Sequence, residues 1–469
     1  MNADILSAIY SPALFHPWFR DLGTWRAWLT FLRALFALPM DDADLVTFLE
    51  CTGRTAAPTT RATEAWLVVG RRGGKSLILA VIATFLAIFV DWSGCLVPGE
   101  SALVQVIATD RKQARIIYRY ARAMMMRVPA LKHLVASETG DVIELTNGIS
   151  IEITTCSYRA VRGYTIVAAL LDEIAFWRSD DTAANPDSEI LAALRPAMAT
   201  VPGAMILAAS SPYAKRGVLY AEHRKSFGKD GPVLVWQAPT RVMNPTVPQS
   251  VIDEAYERDP ASAAAEYGAE FRSDIEGFVT REVIDAVTMP GRFELPAIDG
   301  ASYLAFVDPS GGSSDSMTLA VAHLEGARAV LDALREVRPP FSPEAVVKEF
   351  AALLAQYGLY EVEGDRYGGE WPRERFSEHG VSYLCAEKPK SDIYRELLPV
   401  LNSGNAELLD VPRLQAQLTG LERRTARGGR DSIDHAPGAH DDLANAAAGA
   451  LVRAVTWGGG AWVWKRLGE

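Results

Sequence analysis

Apolar runs alternate with amphipathic stretches along most of the chain, and this pattern predicts an α/β fold. Short continuous apolar runs are typical of buried parallel strands, because both faces of such a sheet are covered. In the first half they are residues 65–69, 102–108, 166–171 and 204–209. Between them, 77–90 and about 111–126 have the pattern of helices, and the apolar stretches 142–145 and 149–154 flank Asn147-Gly148, a hairpin signal. We therefore expect an α/β domain over roughly 60–240.

A second alternating pattern begins near residue 302. Before it, the prolines of 241–250, a polar helical stretch at 252–272 and a turn-rich passage predict a connector over 241–300. Strands are then expected at 303–308, 319–323 and 359–362, and helices at 343–356 and 441–454. The second half therefore predicts another α/β domain.

Composition narrows the class of protein. The longest apolar stretch stops at Asp91, too short to span a membrane, and no basic segment with an apolar core predicts a secretory signal. The 4 cysteines lie far apart, which favours a reducing cytosol over a disulfide framework or a zinc site. The net charge of −11 counts against a uniformly basic nucleic-acid-binding surface.

A glycine-rich turn lies between the first apolar strand and the following helix. It reads Gly70-Arg71-Arg72-Gly73-Gly74-Lys75-Ser76. In a phosphate-binding loop the backbone N–H groups hold phosphate oxygens, the lysine reaches the β- and γ-phosphates and the hydroxyl binds Mg²⁺. The usual first glycine falls on Val69, so the match is incomplete, and a purely structural turn is the alternative.

Two further strands end in polar residues. The run 166–171 is followed by Asp172 and Glu173, which places one carboxylate for Mg²⁺ and one beside an attacking water. The run 204–209 is followed by Ser210 and Ser211, whose hydroxyls are candidates to sense the γ-phosphate. The alternatives are a solvated acidic turn and an ordinary Ser-Ser-Pro turn. Together with the glycine-rich loop, the carboxylates predict an ATPase.

The second half carries acids at separate elements. Asp308 ends a strand, Asp365 follows another strand, and Asp441 and Asp442 begin the last helix. Two divalent ions that clamp a scissile phosphate need such carboxylates, and oxygen ligands suit Mg²⁺ or Mn²⁺. The alternative is that each is an ordinary helix cap or turn residue. His435 and His440 are candidates to tune this cluster rather than to bind metal.

Arginines form two groups that are candidates for DNA contact. The first group, in a glycine-containing stretch just before the acidic pair, is Arg423, Arg424, Arg427 and Arg430. It predicts either a DNA-guiding loop or a solvated loop. The second group shares one face of the helix near 111–126 and consists of Arg111, Arg115, Arg119 and Arg122. We expect that face to be solvated, with a DNA channel or a subunit interface as the alternatives.

In this order the motifs resemble those of the large terminase subunit of tailed bacteriophages, an ATPase–nuclease that packages DNA. The matching segments are GRRGGKS, IELTNG, AVRGYT just ahead of Leu170-Leu171-Asp172-Glu173, AASSP, FVDPSGG, EGDRYGG and GAHDDLANA. No single segment is specific, whereas the ordered combination is. The resemblance spans roughly 25–454, nearly the whole chain.

The resemblance implies an N-terminal additional-strand P-loop ATPase domain and a C-terminal ribonuclease-H-like nuclease domain. The implied boundaries are a helical segment at 1–62, the ATPase core at 63–240, the connector at 241–300 and the nuclease domain at 301–469. Arg71 matches a P-loop arginine that contacts the γ-phosphate. Arg162 matches an arginine near the nucleotide that acts in cis or on a neighbouring subunit. Arg54 is a candidate adenine contact.

The remaining site residues also follow from the resemblance. Lys75, Ser76 and Asp172 would hold ATP and Mg²⁺, and Glu173 would activate water. Ser210 and Ser211 fall on the motif that couples hydrolysis to movement. Two Mg²⁺ or Mn²⁺ ions in the nuclease site would be held by Asp308, Asp365 and one or both of Asp441 and Asp442.

The implied partners are double-stranded DNA, a small terminase subunit and the portal protein of a procapsid, with a homo-oligomeric ring when docked and a monomer possible in solution. The implied location is the cytoplasm of the host cell, with no membrane association. Two other functions stay open: an ATP-dependent helicase or DNA-repair ATPase, which does not need the second acidic group, and a non-catalytic assembly module.

Overall fold

The computed structural model describes residues 3–97, 99–155, 164–177, 186–313, 315–365, 371–425, 431–436 and 439–466. The chain divides into two compact units, with the change from one to the other between Asp274 and Ile275. This division falls inside the segment 241–300 that the sequence predicted as a connector.

The first unit is built on one eight-stranded sheet. Its elements are α1 (Ile5–Tyr10), α2 (Arg26–Phe36), α3 (Asp42–Thr52), β1 (Glu64–Val69), α4 (Lys75–Ile88), β2 (Ala102–Ala108), α5 (Arg111–Arg127), α6 (Pro129–Lys132), β3 (Val135–Glu138), β4 (Val142–Leu145), β5 (Ile149–Thr155), β6 (Thr165–Asp172), α7 (Pro186–Met198), β7 (Met205–Ser210), α8 (Gly217–Ser226), β8 (Val233–Ala238), α9 (Thr240–Met243), α10 (Gln249–Arg258) and α11 (Pro260–Glu266).

The strand order of this sheet is β3-β4-β5-β2-β6-β7-β1-β8. The six strands from β5 to β8 are parallel, and β3 and β4 are added as an antiparallel hairpin. Helices cover both faces, since α4 and α5 pack into one core and α7 and α8 into another. The carboxyl ends of β6, β7 and β1 are therefore neighbours at one edge of the sheet.

The second unit contains a six-stranded sheet and a three-stranded sheet. Its elements are β9 (Ile275–Gly277), α12 (Arg281–Val287), β10 (Tyr303–Asp308), β11 (Met317–Glu325), β12 (Arg328–Val337), α13 (Pro343–Gln356), β13 (Glu361–Gly364), α14 (Trp371–Glu378), β14 (Ser382–Cys385), α15 (Lys390–Asn402), β15 (Ala406–Glu407), α16 (Pro412–Gly420), β16 (Leu421–Thr425), β17 (Asp431–His435) and α17 (Asp442–Arg466).

The larger sheet of the second unit has the order β14-β13-β10-β11-β12-β15, with β14, β13 and β10 parallel and β11 antiparallel to both of its neighbours. The helix α17 packs against β10, β11 and β12, and its Gly449 lies directly against the ring of Phe306, where a β-carbon would be only 2.1 Å from the ring.

In the described part of the chain no helix is both long and apolar enough to span a bilayer.

The elements predicted from apolar periodicity are present, and all but one have boundaries that match within a few residues. The exception is the last helix, expected at 441–454, because α17 continues to Arg466. The strand 102–108 and the helix 343–356 correspond to β2 and α13 without any shift. The single polar helix expected at 252–272 is instead α10 and α11. Asp259 ends the first helix and its side chain accepts a hydrogen bond from Ser262 N at the start of the second, beside Pro260.

Candidate functional sites

The glycine-rich segment 70–74 forms a tight turn between β1 and α4. Arg72 has a φ of 63° and Gly74 a φ of 97°, and the N–H of Gly73 donates to the carbonyl of Gly70 at 3.1 Å. A β-carbon on Gly70 would lie 2.3 Å from Thr240 Oγ1, so only glycine fits there. The turn therefore depends on glycine for both its conformation and its packing.

Three successive carbonyl groups of this loop each accept a hydrogen bond from a side chain outside it. The pairs are Thr240 Oγ1 with Arg71 O at 2.8 Å, Asn244 Nδ2 with Arg72 O at 2.8 Å, and Trp28 Nε1 with Gly73 O at 2.7 Å. In a planar trans peptide the N–H points away from the carbonyl. Because the carbonyls of Arg71 and Gly73 are held by the surrounding protein, the N–H groups of the same peptides, those of Arg72 and Gly74, point the opposite way, as an anion-binding loop requires. The N–H of Gly73 instead donates to Gly70 O and closes the turn.

The side chain of Lys75 lies at the centre of a polar cluster at the sheet edge. It is buried, and its Nζ donates to Val69 O at 3.0 Å and to Ser211 Oγ at 3.2 Å. Glu173 Oε1 is 3.4 Å from the same ammonium. Glu173 has a φ of 51°, a left-handed conformation uncommon for a residue with a side chain.

The serines that follow β7 hold the other oxygen of Glu173. Glu173 Oε2 lies 3.1 Å from the backbone N of Ser211 and 3.1 Å from the hydroxyl of Ser210. The structure thus brings together four residues that the sequence singled out on three different strand ends: Lys75, Glu173, Ser210 and Ser211. Their contacts fix the carboxylate beside the lysine.

Asp172 ends β6 and is buried. Burial, and then the neighbouring Glu173, raise the pKa of its carboxyl to about 7. Its Oδ1 is inaccessible to solvent and has no hydrogen-bond partner in the described part of the chain. A buried oxygen without a partner fits a divalent cation, which would lower the pKa of this carboxyl. Ser76, in the first turn of α4, is partly buried.

Two of the three arginines predicted near the nucleotide lie in the described part of the chain. The exposed Arg71 pairs with Glu266 at 2.9 Å, in contact with α11 rather than with the Lys75 cluster. Arg54 is buried, and its Nη2 donates to the carbonyls of Gly231 and Val233, which is a structural role. Arg162 lies outside the described residues.

The second unit brings Asp308 and Asp365 together. They follow the adjacent parallel strands β10 and β13, and one amide bridges them: Asn445 Nδ2 donates to Asp308 Oδ2 at 2.9 Å and to Asp365 Oδ2 at 2.7 Å. Burial, and then Asp365, raise the pKa of Asp308 well above its usual value, and burial raises the pKa of Asp365. A cation bound among these acids would favour their charged forms.

The acidic pair before α17 has two different environments. Both oxygens of Asp441 are engaged, because Lys390 Nζ lies 3.2 Å from Oδ1 and 2.9 Å from Oδ2, and the hydroxyl of Tyr394 donates to Oδ2 at 2.8 Å. Asp442 Oδ2 is buried and has no hydrogen-bond partner among the described residues. Burial raises the pKa of Asp442 to about 6. Asp442 therefore has the oxygen that suits a metal ion.

The two histidines lie at the edge of this acidic group. His435 Nδ1 is 2.9 Å from the carbonyl of Ala436, and His440 Nδ1 is 3.6 Å from Asp315 Oδ1. Neither contact joins a histidine to Asp308 or Asp365.

The first arginine group is only partly described. The expectation of a loop at Arg423 and Arg424 is wrong, because both lie on β16 in the antiparallel pair with β17. All five residues of Leu421–Thr425 pair in antiparallel register with Asp431–His435. Arg423 pairs with Asp431 at 2.6 Å, and Arg424 with Glu422 at 3.2 Å. Arg427 and Arg430 lie outside the described residues.

The arginines of α5 face the acids of the β3–β4 hairpin. Arg111 and Arg115 lie 3.6 and 3.7 Å from Asp141, and Arg122 forms an ion pair with Glu138 at 2.7 Å. These side chains are exposed, and three of the four arginines pair with acids of the same unit, as expected of a solvated helix face.

Sequence reasoning missed the residues that support these sites. Trp28, Thr240 and Asn244 belong to no motif, and no sequence signal places them beside the loop. Asn445 was detectable, because it lies three and four residues after the acidic pair and a helix brings that spacing to one face.

No protein-family model matches the chain, and no curated protein matches it by sequence. Among solved structures, the large terminase of bacteriophage HK97 is similar at 15% identity and a TM-score of 0.39, covering 91% of this chain and 98% of that one. The large terminase of a thermophilic bacteriophage is similar at 11% identity and a TM-score of 0.38, covering 86% and 96%. The large terminase nuclease of another thermophilic phage, G20c, is similar at 16% identity and a TM-score of 0.32, covering 36% and 95%. Solved large terminases from several phages thus match this chain over most of its length, at low sequence identity.

Proposed function

We propose that the chain is the large subunit of a phage terminase, a DNA-packaging motor with an ATPase site in the first unit and a two-metal endonuclease site in the second. The observation that supports this proposal is that each unit brings together its own group of polar residues. Lys75, Glu173 and the serines meet beside the glycine-rich loop. Asp308 and Asp365 share the amide of Asn445, and Asp442 is close enough to raise the pKa of Asp308.

In the ATPase site the loop N–H groups and Lys75 would bind the β- and γ-phosphates. Asp172 and Ser76 would hold Mg²⁺, which screens phosphate charge when it is bound. Lys75 now contacts Ser211 and Glu173, so phosphate binding would compete for its ammonium and release the Glu173 carboxylate. Glu173 is then free to orient the attacking water, while the contacts of Ser210 and Ser211 change with the presence of the γ-phosphate.

In the nuclease site Asp308, Asp365 and Asp442 would hold two Mg²⁺ or Mn²⁺ ions. Such ions supply an activated water and stabilise charge on the scissile phosphate. Asn445 orients Asp308 and Asp365, because its side-chain amide donates a hydrogen bond to the Oδ2 atom of each carboxylate. Asp441, held by Lys390 and Tyr394, is assigned to orient this end of α17 rather than to bind metal directly.

The substrate we propose is double-stranded DNA, translocated by ATP hydrolysis and cut from concatemers. The proposed partners are a small terminase subunit and a procapsid portal, with a homo-oligomeric ring when docked and action in the host cytoplasm. DNA contact is assigned to Arg423 and Arg424 on β16, together with Arg427 and Arg430, which follow them in the sequence. Arg423→Ala with Arg424→Ala should weaken DNA binding and reduce its salt dependence, and an unchanged salt slope would refute the assignment.

The ATPase proposal is tested by phosphate release from ATP. Lys75→Ala and Glu173→Ala should each abolish turnover and leave Mn²⁺-dependent DNA cleavage measurable, because the nuclease carboxylates are untouched. Lys112→Ala, which removes an exposed lysine of α5, is the matched control and should hydrolyse ATP as the wild type does. Retained turnover in both site variants would overturn the ATPase site.

The nuclease proposal is tested by plasmid cleavage in Mn²⁺. Asp308→Ala should lose cleavage while it retains ATP hydrolysis. Asp299→Ala, which removes an exposed acid of the same unit, is the control and should cleave normally. Full cleavage by the Asp308 variant would show that the metal centre lies elsewhere.

A further inference from the structure

Lys390 places an ammonium inside the acidic group of the second unit. It is the first residue of α15, and its Nζ lies 2.9 Å from Asp441 Oδ2 and 3.0 Å from Asp434 Oδ1. Its side chain is only 28% exposed. Tyr394, one helical turn later and fully buried, donates to the same Asp441 oxygen at 2.8 Å. Two residues of one helix face therefore hold a single carboxylate.

The ammonium occupies a position that would otherwise suit a metal ion. Ligand atoms of Asp434, His435 and Asp441 lie within 4.8 Å of one another, a grouping compatible with a cation. Lys390 already contacts two of these three residues at ion-pair distance. Asp442, the next residue after Asp441, has the opposite environment, since its Oδ2 is buried without a partner in the described part of the chain.

We propose that Lys390 is a positioning residue that holds Asp441 away from the catalytic metal ions. This inference rests on the proposed nuclease function of the same centre. Three carboxylates, Asp308, Asp365 and Asp442, would then be the metal ligands. A fourth carboxylate would bind the ions more tightly, but it would fill a coordination position that the scissile phosphate or the attacking water needs.

The same contact supports the rest of the centre through the backbone. The carbonyl of Asp441 accepts the N–H of Asn445 at 2.7 Å, and Asn445 is the residue that bridges Asp308 and Asp365. On its other side Lys390 holds Asp434 of β17, and the adjacent Ser391 accepts the N–H of Ile433 at 2.9 Å. Lys390 thus fixes Asp441 between the start of α17 and the hairpin.

The test compares Mn²⁺ affinity, measured by calorimetry on the full chain, with the cleavage rate at saturating Mn²⁺. In Lys390→Gln the Kd for Mn²⁺ should fall about three- to tenfold, because a positive charge near the ions is removed and Asp441 is released. Cleavage should nevertheless slow by at least about tenfold, because the extra ligand blocks the open position. Lys390→Arg should restore both values towards those of the wild type.

Lys388→Gln is the matched control, since Lys388 is an exposed lysine two residues away that pairs with Glu396, and both values should stay unchanged. Asp441→Asn should leave the Kd within about twofold, whereas Asp442→Asn should lose Mn²⁺ binding. Weaker Mn²⁺ binding together with slower cleavage in Lys390→Gln would mean a merely structural role and would overturn the proposal, as would no change in either value.

Failure of the nuclease function itself has a different signature. In that case the wild type would not cleave DNA at any Mn²⁺ concentration. The Kd of each variant for Mn²⁺ would still show whether Lys390 keeps Asp441 from binding the ions. An unchanged or higher Kd in Lys390→Gln, with an unchanged thermal unfolding profile, contradicts the positioning role whether or not DNA is cut.

Discussion

Thr240 supports the phosphate-binding loop through one hydrogen bond that can be removed almost without a change of shape. The residue is buried at the start of α9, and its hydroxyl donates to the carbonyl of Arg71 at 2.8 Å. Valine has nearly the same outline but no donor. In Thr240→Val the backbone N–H of residue 240 still donates to Tyr267 O, so only the contact with the loop is lost.

The size of the expected effect on ATP binding follows from the carbonyl of Arg71, which loses its hydrogen-bond donor in Thr240→Val. A partly buried acceptor that loses its partner costs about 1–2 kcal/mol. If the hydrogen bond contributes this free energy to the loop conformation that binds phosphate, removing it weakens ATP binding by about five- to thirtyfold. Turnover at saturating ATP should fall less, because bound phosphate itself orders the loop N–H groups.

The assay is a titration of the full chain with a fluorescent ATP analogue. Thr240→Ser is the matched control, since it keeps the hydroxyl and should bind within about twofold of the wild type. Equal affinity of the valine variant and the wild type would refute the reasoning, and so would an equal loss in the valine and serine variants, which would point to packing instead.

Two further results are expected from the second unit. Asn445→Ala removes both hydrogen bonds that bridge Asp308 and Asp365, so it should destabilise the metal-free protein by about 1–3 kcal/mol. The loss should be smaller in Mg²⁺, because a cation bound by the two carboxylates would offset their repulsion, and equal losses in thermal unfolding with and without Mg²⁺ would contradict this. The hydrogen bond with Asp332 raises the pKa of His323 above 6.5, so the pair stabilises the fold fully below pH 6.5 and loses this contribution as the pH rises through the raised pKa. His323→Gln should therefore lower the unfolding temperature more at pH 6 than at pH 9, whereas equal shifts would exclude the linkage.

Strands and the residues that directly follow them were predictable from the sequence for one physical reason. Apolar runs mark buried parallel strands, and the carboxyl ends of neighbouring strands meet at one edge of a sheet. Glu173, Ser210 and Ser211 therefore come together as soon as β6 and β7 pair. The same reasoning brings Asp308 close to Asp365, because β10 and β13 are adjacent and parallel.

The hydrogen bonds that hold these site residues in place were not predictable from the sequence, because they join distant parts of the chain. Trp28 and Thr240 reach the loop from positions 45 and 169 residues away from the carbonyls they bind. Lys390 belongs to none of the sequence motifs, so nothing in the sequence marks it as a site residue. The strand β16 was missed because its three successive charged residues, without apolar alternation, give little sign of strand pairing.

The central claim, that one chain carries a separate ATPase site and a separate metal-dependent nuclease site, has one direct test. The purified chain is incubated with plasmid DNA and Mn²⁺, with and without ATP, while phosphate release and DNA length are followed in the same reaction. We predict phosphate release that needs ATP and is abolished in Glu173→Ala, together with plasmid shortening that is abolished in Asp308→Ala and persists in Glu173→Ala. Absence of either activity in the wild type, or loss of both in one of these variants, would contradict the claim.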